Sequence, residues 1–106
     1  MANETVICTY RVRREAEDEF RELVARHWPT LHALGGVTDE PARVYRCIEP
    51  DDFRIIEVFT WVDGGMRVAE HPDVVAIWER MEELCEERDG LPAMSFPHFE
   101  ELPIHA

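Results

Sequence analysis

The chain has 106 residues, 11 of them basic and 23 acidic, for a formal charge of −12. That length suits one compact domain over residues 1–106 with a buried core, and a hydrophobic fraction of 45% with three Trp and five Phe speaks against disorder. The acidity counts against nucleic acid or an anionic membrane surface as partner, and no apolar run approaches the roughly 20 residues that span a bilayer.

Met1-Ala2-Asn3-Glu4 carries none of the basic and apolar regions of a secretory signal, so a cytoplasmic location is expected. All 11 basic residues are Arg, which removes Schiff-base chemistry and a P-loop lysine together. The only serine, Ser95, stands in no G-x-S-x-G elbow, and no G-x-G-x-x-G is present. Cys8, Cys47 and Cys85 form no C-x-x-C and are expected as free thiols in a reducing compartment.

Along the chain, Val6, Cys8, Tyr10 and Val12 alternate with Thr5, Ile7, Thr9 and Arg11, which predicts a strand over 5–12. From Glu15 the period changes. Ala16, Phe20, Leu23, Val24, His27, Leu31 and Leu34 share one helix face, Gly35-Gly36 supplies the stop, and Pro29 is expected to kink or divide the helix. Strands over about 42–48 and 53–62 follow, joined by Glu49-Pro50-Asp51-Asp52 as an antiparallel hairpin. Asp63 is placed to cap a short helix to about 70, ahead of Pro72 at a second helix start. Val74, Ile77, Trp78, Met81, Leu84 and Cys85 mark a buried stripe to about 88. A last strand lies within 93–102, confined to an edge or a bulge by Pro97.

The order β-α-β-β-α-β defines an α+β, ferredoxin-like fold, a four-stranded antiparallel sheet with two helices on one face. Its third strand is apolar on both sides, with Ile55, Phe59 and Trp61 on one and Ile56 and Val58 on the other. One helical layer cannot cover both faces. A second copy of the chain, packed sheet to sheet about a two-fold axis, is the expected cover.

The segment Glu57-Val58-Phe59-Thr60-Trp61-Val62-Asp63, followed by Ala69-Glu70-His71-Pro72 and an amphipathic helix, resembles the antibiotic biosynthesis monooxygenase family. The resemblance implies a dimeric α/β barrel and, as leading activity, cofactor-independent oxygenation of an aromatic, phenolic or polyketide-like small molecule. An isomerase or dehydratase in the same pocket, or a non-catalytic ligand-binding or accessory dimer, are the alternatives. Haem-degrading relatives share a tryptophan at the place of Trp61 but carry an Asn and a His where Tyr10 and Trp78-Glu79-Arg80 stand here. Haem is therefore not expected, nor is any metal or other cofactor.

Glu57 shares a strand face with Trp61 by the period of two. If covered, it is a buried carboxylate able to act as a base, unless it pairs with Arg43 or Arg46. His71, before Pro72, is placed to accept or relay a proton. Trp61 offers an aromatic wall and an N–H donor. Tyr10, Tyr45, Trp28 and His32 are further candidates for substrate contact. The pocket is expected between the helices and the strand face of Glu57 and Trp61, with His71 at its rim. Five His show no H-E-x-x-H spacing, so no metal site is predicted. The acidic run from Glu79 to Asp89 reads as a solvated helix face.

Overall fold

A computed structural model describes residues 3–104; Met1, Ala2, His105 and Ala106 lie outside them. Strand β1 (Glu4–Tyr10) leads through a 3-10 turn (Arg14–Ala16) into helix α1 (Glu17–Ala33). Strands β2 (Arg43–Arg46) and β3 (Ile55–Trp61) form the hairpin. A 3-10 turn (Gly65–Glu70) and helix α2 (Pro72–Leu84) follow, then the short strands β4 (Met94–Ser95) and β5 (His98–Phe99). The sheet runs β2-β3-β1-β4, with β5 also on β1, and every pairing is antiparallel. This is the ferredoxin-like arrangement expected.

β4 and β5 are one edge strand in a constant register, with Tyr10 opposite Met94 and Val6 opposite His98. Pro97 interrupts it because it has no N–H to give, yet its carbonyl still accepts from Ile7 N at 3.1 Å. Phe96 and His98 consequently face the helices together with Val6, Cys8 and Tyr10. That parity matters below.

Four expectations about the elements need correction. Pro29 sits inside α1 without dividing it, because it forfeits one bond on the exposed side, where water can serve the Ala25 carbonyl. The short helix after β3 has Gly64, at φ 71°, and not Asp63 at its N-cap position. α2 ends at Leu84, four residues early. The chain there is drawn back to the end of β1: Val12 bridges Cys85, Glu86 N donates to Arg11 O at 2.9 Å, and Arg88 donates to the carbonyls of Phe53 and Val12. The first strand stops at Tyr10, with Val12 paired only through that bridge.

The core lies between the helices and the sheet. Phe20, Leu23, Val24 and Leu31 of α1 and Val74, Ile77, Met81 and Leu84 of α2 are buried over Val6, Cys8, Tyr10, Ile55, Phe59 and Trp61. The loops after α1 and β3 touch closely: Val62 N donates to Gly36 O at 3.0 Å, and a Cβ on Gly65 would overlap that carbonyl. Gly65→Ala should therefore lower the urea midpoint; an unchanged midpoint would show that the two loops yield easily. On the far side of the sheet, Ile7, Ile56 and Val58 are only half-buried and Tyr45 is 54% exposed.

Candidate functional site

Period-two alternation in β1 and β3 brings Cys8 opposite Glu57 and puts Tyr10, Glu57, Phe59 and Trp61 on the helix side. Glu57 is wholly buried, yet it does not pair with Arg43 or Arg46. Its Oε1 accepts two hydrogen bonds, from Tyr10 Oη at 2.8 Å and from His27 Nδ1 at 2.8 Å. His27 belongs to the buried stripe of α1 and is 2% exposed. Its other nitrogen, Nε2, accepts from Trp78 Nε1 on α2, again at 2.8 Å.

The direction of these bonds follows from the donors. An indole nitrogen can only donate, so Nε2 must present its lone pair and the ring proton must sit on Nδ1, aimed at the carboxylate. The result is a line of groups: Trp78, His27, Glu57 and Tyr10. A carboxylate holding Nδ1 fixes the ring and leaves Nε2 as the basic atom, a construction that recurs where imidazole serves as a general base.

A cavity of about 130 Å³ opens beside it, lined by Val6, Cys8, His27, Phe59, Trp61, Met66, Trp78, Phe96 and His98. Phe59 and Trp61 pack edge to face at 5.3 Å, and His27 meets Phe59 likewise at 5.5 Å. Trp61 is 4% exposed, and its Nε1 has no partner among the described residues; the same holds for Glu57 Oε2 and Trp28 Nε1. At the C-terminal edge, His98 Nδ1 meets Glu4 Oε1 at 2.8 Å. No three His, Cys, Asp or Glu side chains among the described residues gather where they could hold a metal ion.

The candidate residues distribute unevenly around this cavity. Trp61 lines it. Glu57 and Tyr10 stand behind His27 and are not part of the wall, so the group placed to meet a ligand is the His27 imidazole and not the carboxylate. Tyr45 is opposite Ile56, on the other face of the sheet from Glu57. Trp28 stacks on His32 at 4.6 Å, and His32 pairs with Asp39 at 2.8 Å, both away from the cavity lining. His71 is the N-cap of α2: its Nδ1 accepts from Asp73 N at 3.1 Å. His71→Ala should cost about 1 kcal/mol of stability, the usual value of a cap, read as a lower urea midpoint. His27 and Trp78 were visible only as positions in buried stripes. A titratable ring at a core position was the one signal that marked His27.

Burial and the neighbouring Glu57 carboxylate push the Cys8 thiol up to about 12, and the same causes raise the Tyr10 phenol well above its ordinary value. Burial likewise pushes Cys85 up to about 12. Cys8 therefore lines the cavity as a neutral thiol and not as a nucleophile. Unfolded, the thiols ionise from about pH 9 and the phenol from about pH 10; folded, they keep their protons to higher pH. The stability these groups contribute is thus fully present below about pH 9 and is lost as pH rises towards 12. Urea midpoints should be lower near pH 10.5 than near pH 7.5, and equal values would contradict this.

The fold of the chain is that of antibiotic biosynthesis monooxygenases and dimeric ferredoxin-like proteins. SnoaB, a cofactor-independent oxygenase from Streptomyces nogalater, matches with a TM-score of 0.73 and 16% identity over 98% of this chain and 100% of its own. A dimeric ferredoxin-like protein of unknown function from Jannaschia matches at 0.68 and 16% over 94% and 100%. A hydroxynitrile lyase from Passiflora edulis matches at 0.70 and 9% over 99% and 98%. No family model matches the sequence, and no curated protein does. At such low identity the structural similarity establishes a shared fold and leaves the chemistry to the site.

Proposed function

We propose that the protein is a cofactor-independent monooxygenase for a phenolic or similarly acidic aromatic substrate, with His27 as the base. The observation that carries this is the His27 ring at the cavity wall, its Nδ1 on the buried Glu57 carboxylate and its Nε2 directed away from it. Tyr10 holds the carboxylate from the other side, and the unpaired Trp61 N–H is a donor for a substrate oxygen. SnoaB, of the same fold, is described as a cofactor-independent oxygenase, which supports the oxygenase choice.

The chemistry closes without another reductant. His27 takes a hydroxyl proton from a hydroquinone, and the electron-rich anion reduces dioxygen and binds it at the ring carbon beside the hydroxyl. The hydroperoxide then loses water, leaving a carbonyl. Hydroquinone plus O2 becomes hydroxyquinone plus water: one oxygen atom stays on carbon, the other leaves, and the substrate supplies all four electrons. The protein contributes a base, a dry apolar wall and positioning. An oxygen electrode should record hydroquinone-dependent uptake, one O2 per hydroxyquinone formed. Conversion with no uptake would overturn oxygenation.

A second observation favours isomerisation or dehydration as the runner-up. His98, held by Glu4, lines the same cavity, so an acid and a base could serve one substrate from two sides. That reaction would consume no oxygen. A purely ligand-binding dimer is supported less, because it needs no imidazole at the cavity, whereas His27 is buried and lines it.

We further propose a homodimer through the open sheet face carrying Ile7, Ile56, Val58 and Tyr45, as the fold shared with a dimeric protein supports. Light scattering at micromolar concentration should give twice the 12.4 kDa chain mass, with more than about 1,000 Å² of total surface buried. A soluble monomer would overturn it.

A further inference from the structure

Trp78 occupies the place that a substrate hydroxyl must take. Its indole N–H sits on the lone pair of His27 Nε2, the atom that would accept the proton. While that bond stands, His27 cannot act as a base towards anything in the cavity. Trp78 itself is half-buried and lines the cavity from α2. Only a ligand that brings its own O–H or N–H donor can replace the indole without leaving Nε2 unsatisfied, at a cost typical of a lost buried hydrogen bond.

The space sets a second condition. About 130 Å³ is close to the roughly 150 Å³ of an apolar protein cavity known to hold benzene, and well under the roughly 300–1,000 Å³ of pockets for larger ligands. The walls are aromatic or apolar, apart from the two histidines, and Trp61 adds an unpaired donor suited to an oxygen. We infer that the ligand is a single-ring phenol, and that it binds by displacing the Trp78 indole from His27 and giving its own O–H to Nε2. This rests on the assignment of the cavity as the substrate site. Trp78 is then a latch and a selector: it keeps the base covered until a hydroxyl arrives, and it rejects rings that carry none.

Side-chain NMR of the whole protein tests this with phenol, anisole and 2-naphthol. Phenol should shift the Trp78 indole N–H signal and speed its exchange with solvent, while His27 Nε2 changes partner. Anisole, lacking the donor, and 2-naphthol, too large by a ring, should each bind at least about tenfold more weakly. In Trp78→Phe no bond has to be broken, so phenol should bind about three- to tenfold more tightly. Phenol bound with the Trp78–His27 bond intact would overturn the latch, as would a Trp78→Phe protein that binds phenol no better. Absence of phenol binding to both proteins would overturn the ligand class. Hydroquinone-dependent oxygen uptake with an undisturbed Trp78 would sink the latch, and His27 as the base with it, and leave oxygenation itself standing. Displacement of Trp78 by phenol with no hydroquinone turnover would do the reverse.

Discussion

Replacing His27 by Gln should lower the rate of hydroquinone oxidation by about 10²- to 10⁴-fold, the usual loss when a positioned base is removed. Gln can still donate to Glu57 and still accept from Trp78, so the fold loses little while the basic lone pair disappears. Glu57→Gln should act on the same step from behind. It keeps an acceptor for Tyr10 but withdraws the negative charge that stabilises an imidazolium once the proton has moved. Its loss should appear in kcat more than in KM, because the charge acts only after substrate is bound. His71→Ala should leave kcat unchanged, since that ring caps α2 and is not part of the cavity lining. Full turnover in His27→Gln, with normal folding, would place the base elsewhere.

The second large effect is on stability. Glu57→Leu should destabilise the protein by about 3–5 kcal/mol, because it strands the Tyr10 hydroxyl and the His27 Nδ1–H in a dry interior. The value should not be additive with its neighbours. With Tyr10→Phe and His27→Leu made alongside it, no donor remains to be stranded except the Trp78 N–H, and much of the loss should return. Urea denaturation of the single and triple variants measures this directly. A Glu57→Leu protein as stable as the wild type would mean that the Tyr10–Glu57–His27 cluster adds nothing to the fold.

Strand faces were legible in the sequence because a period of two leaves little freedom. Alternation alone put Glu57, Phe59 and Trp61 on one side of β3 and Ile56 and Val58 on the other, which is how they lie. The same arithmetic could not fix Tyr45. Its face depends on the hairpin register, which pairs it with Ile56 and so turns it away from Tyr10 and Glu57. The cluster itself was beyond pattern reading. Helical periodicity marks His27 and Trp78 as inward-facing, but contacts between residues 27 and 57 or 27 and 78 depend on how far each helix slides along the sheet. Charge complementarity pointed Glu57 at Arg43 or Arg46; burial gave it a tyrosine and a histidine instead. The early end of α2 was hidden for a related reason, since Arg88 and the Glu86 amide donate to the carbonyls of Phe53, Val12 and Arg11, all distant in sequence.

Proton transfer to His27 is the centre of the account, and 4-nitrophenol reports it by colour. It is a single-ring phenol whose anion is yellow and whose neutral form is not. At a pH below its ionisation in solution, titration with the wild-type protein should develop the phenolate band in step with binding, and His27→Gln should bind it without colour. Binding by the wild type with no yellow band, or an equal band with His27→Gln, would contradict a proton-accepting His27.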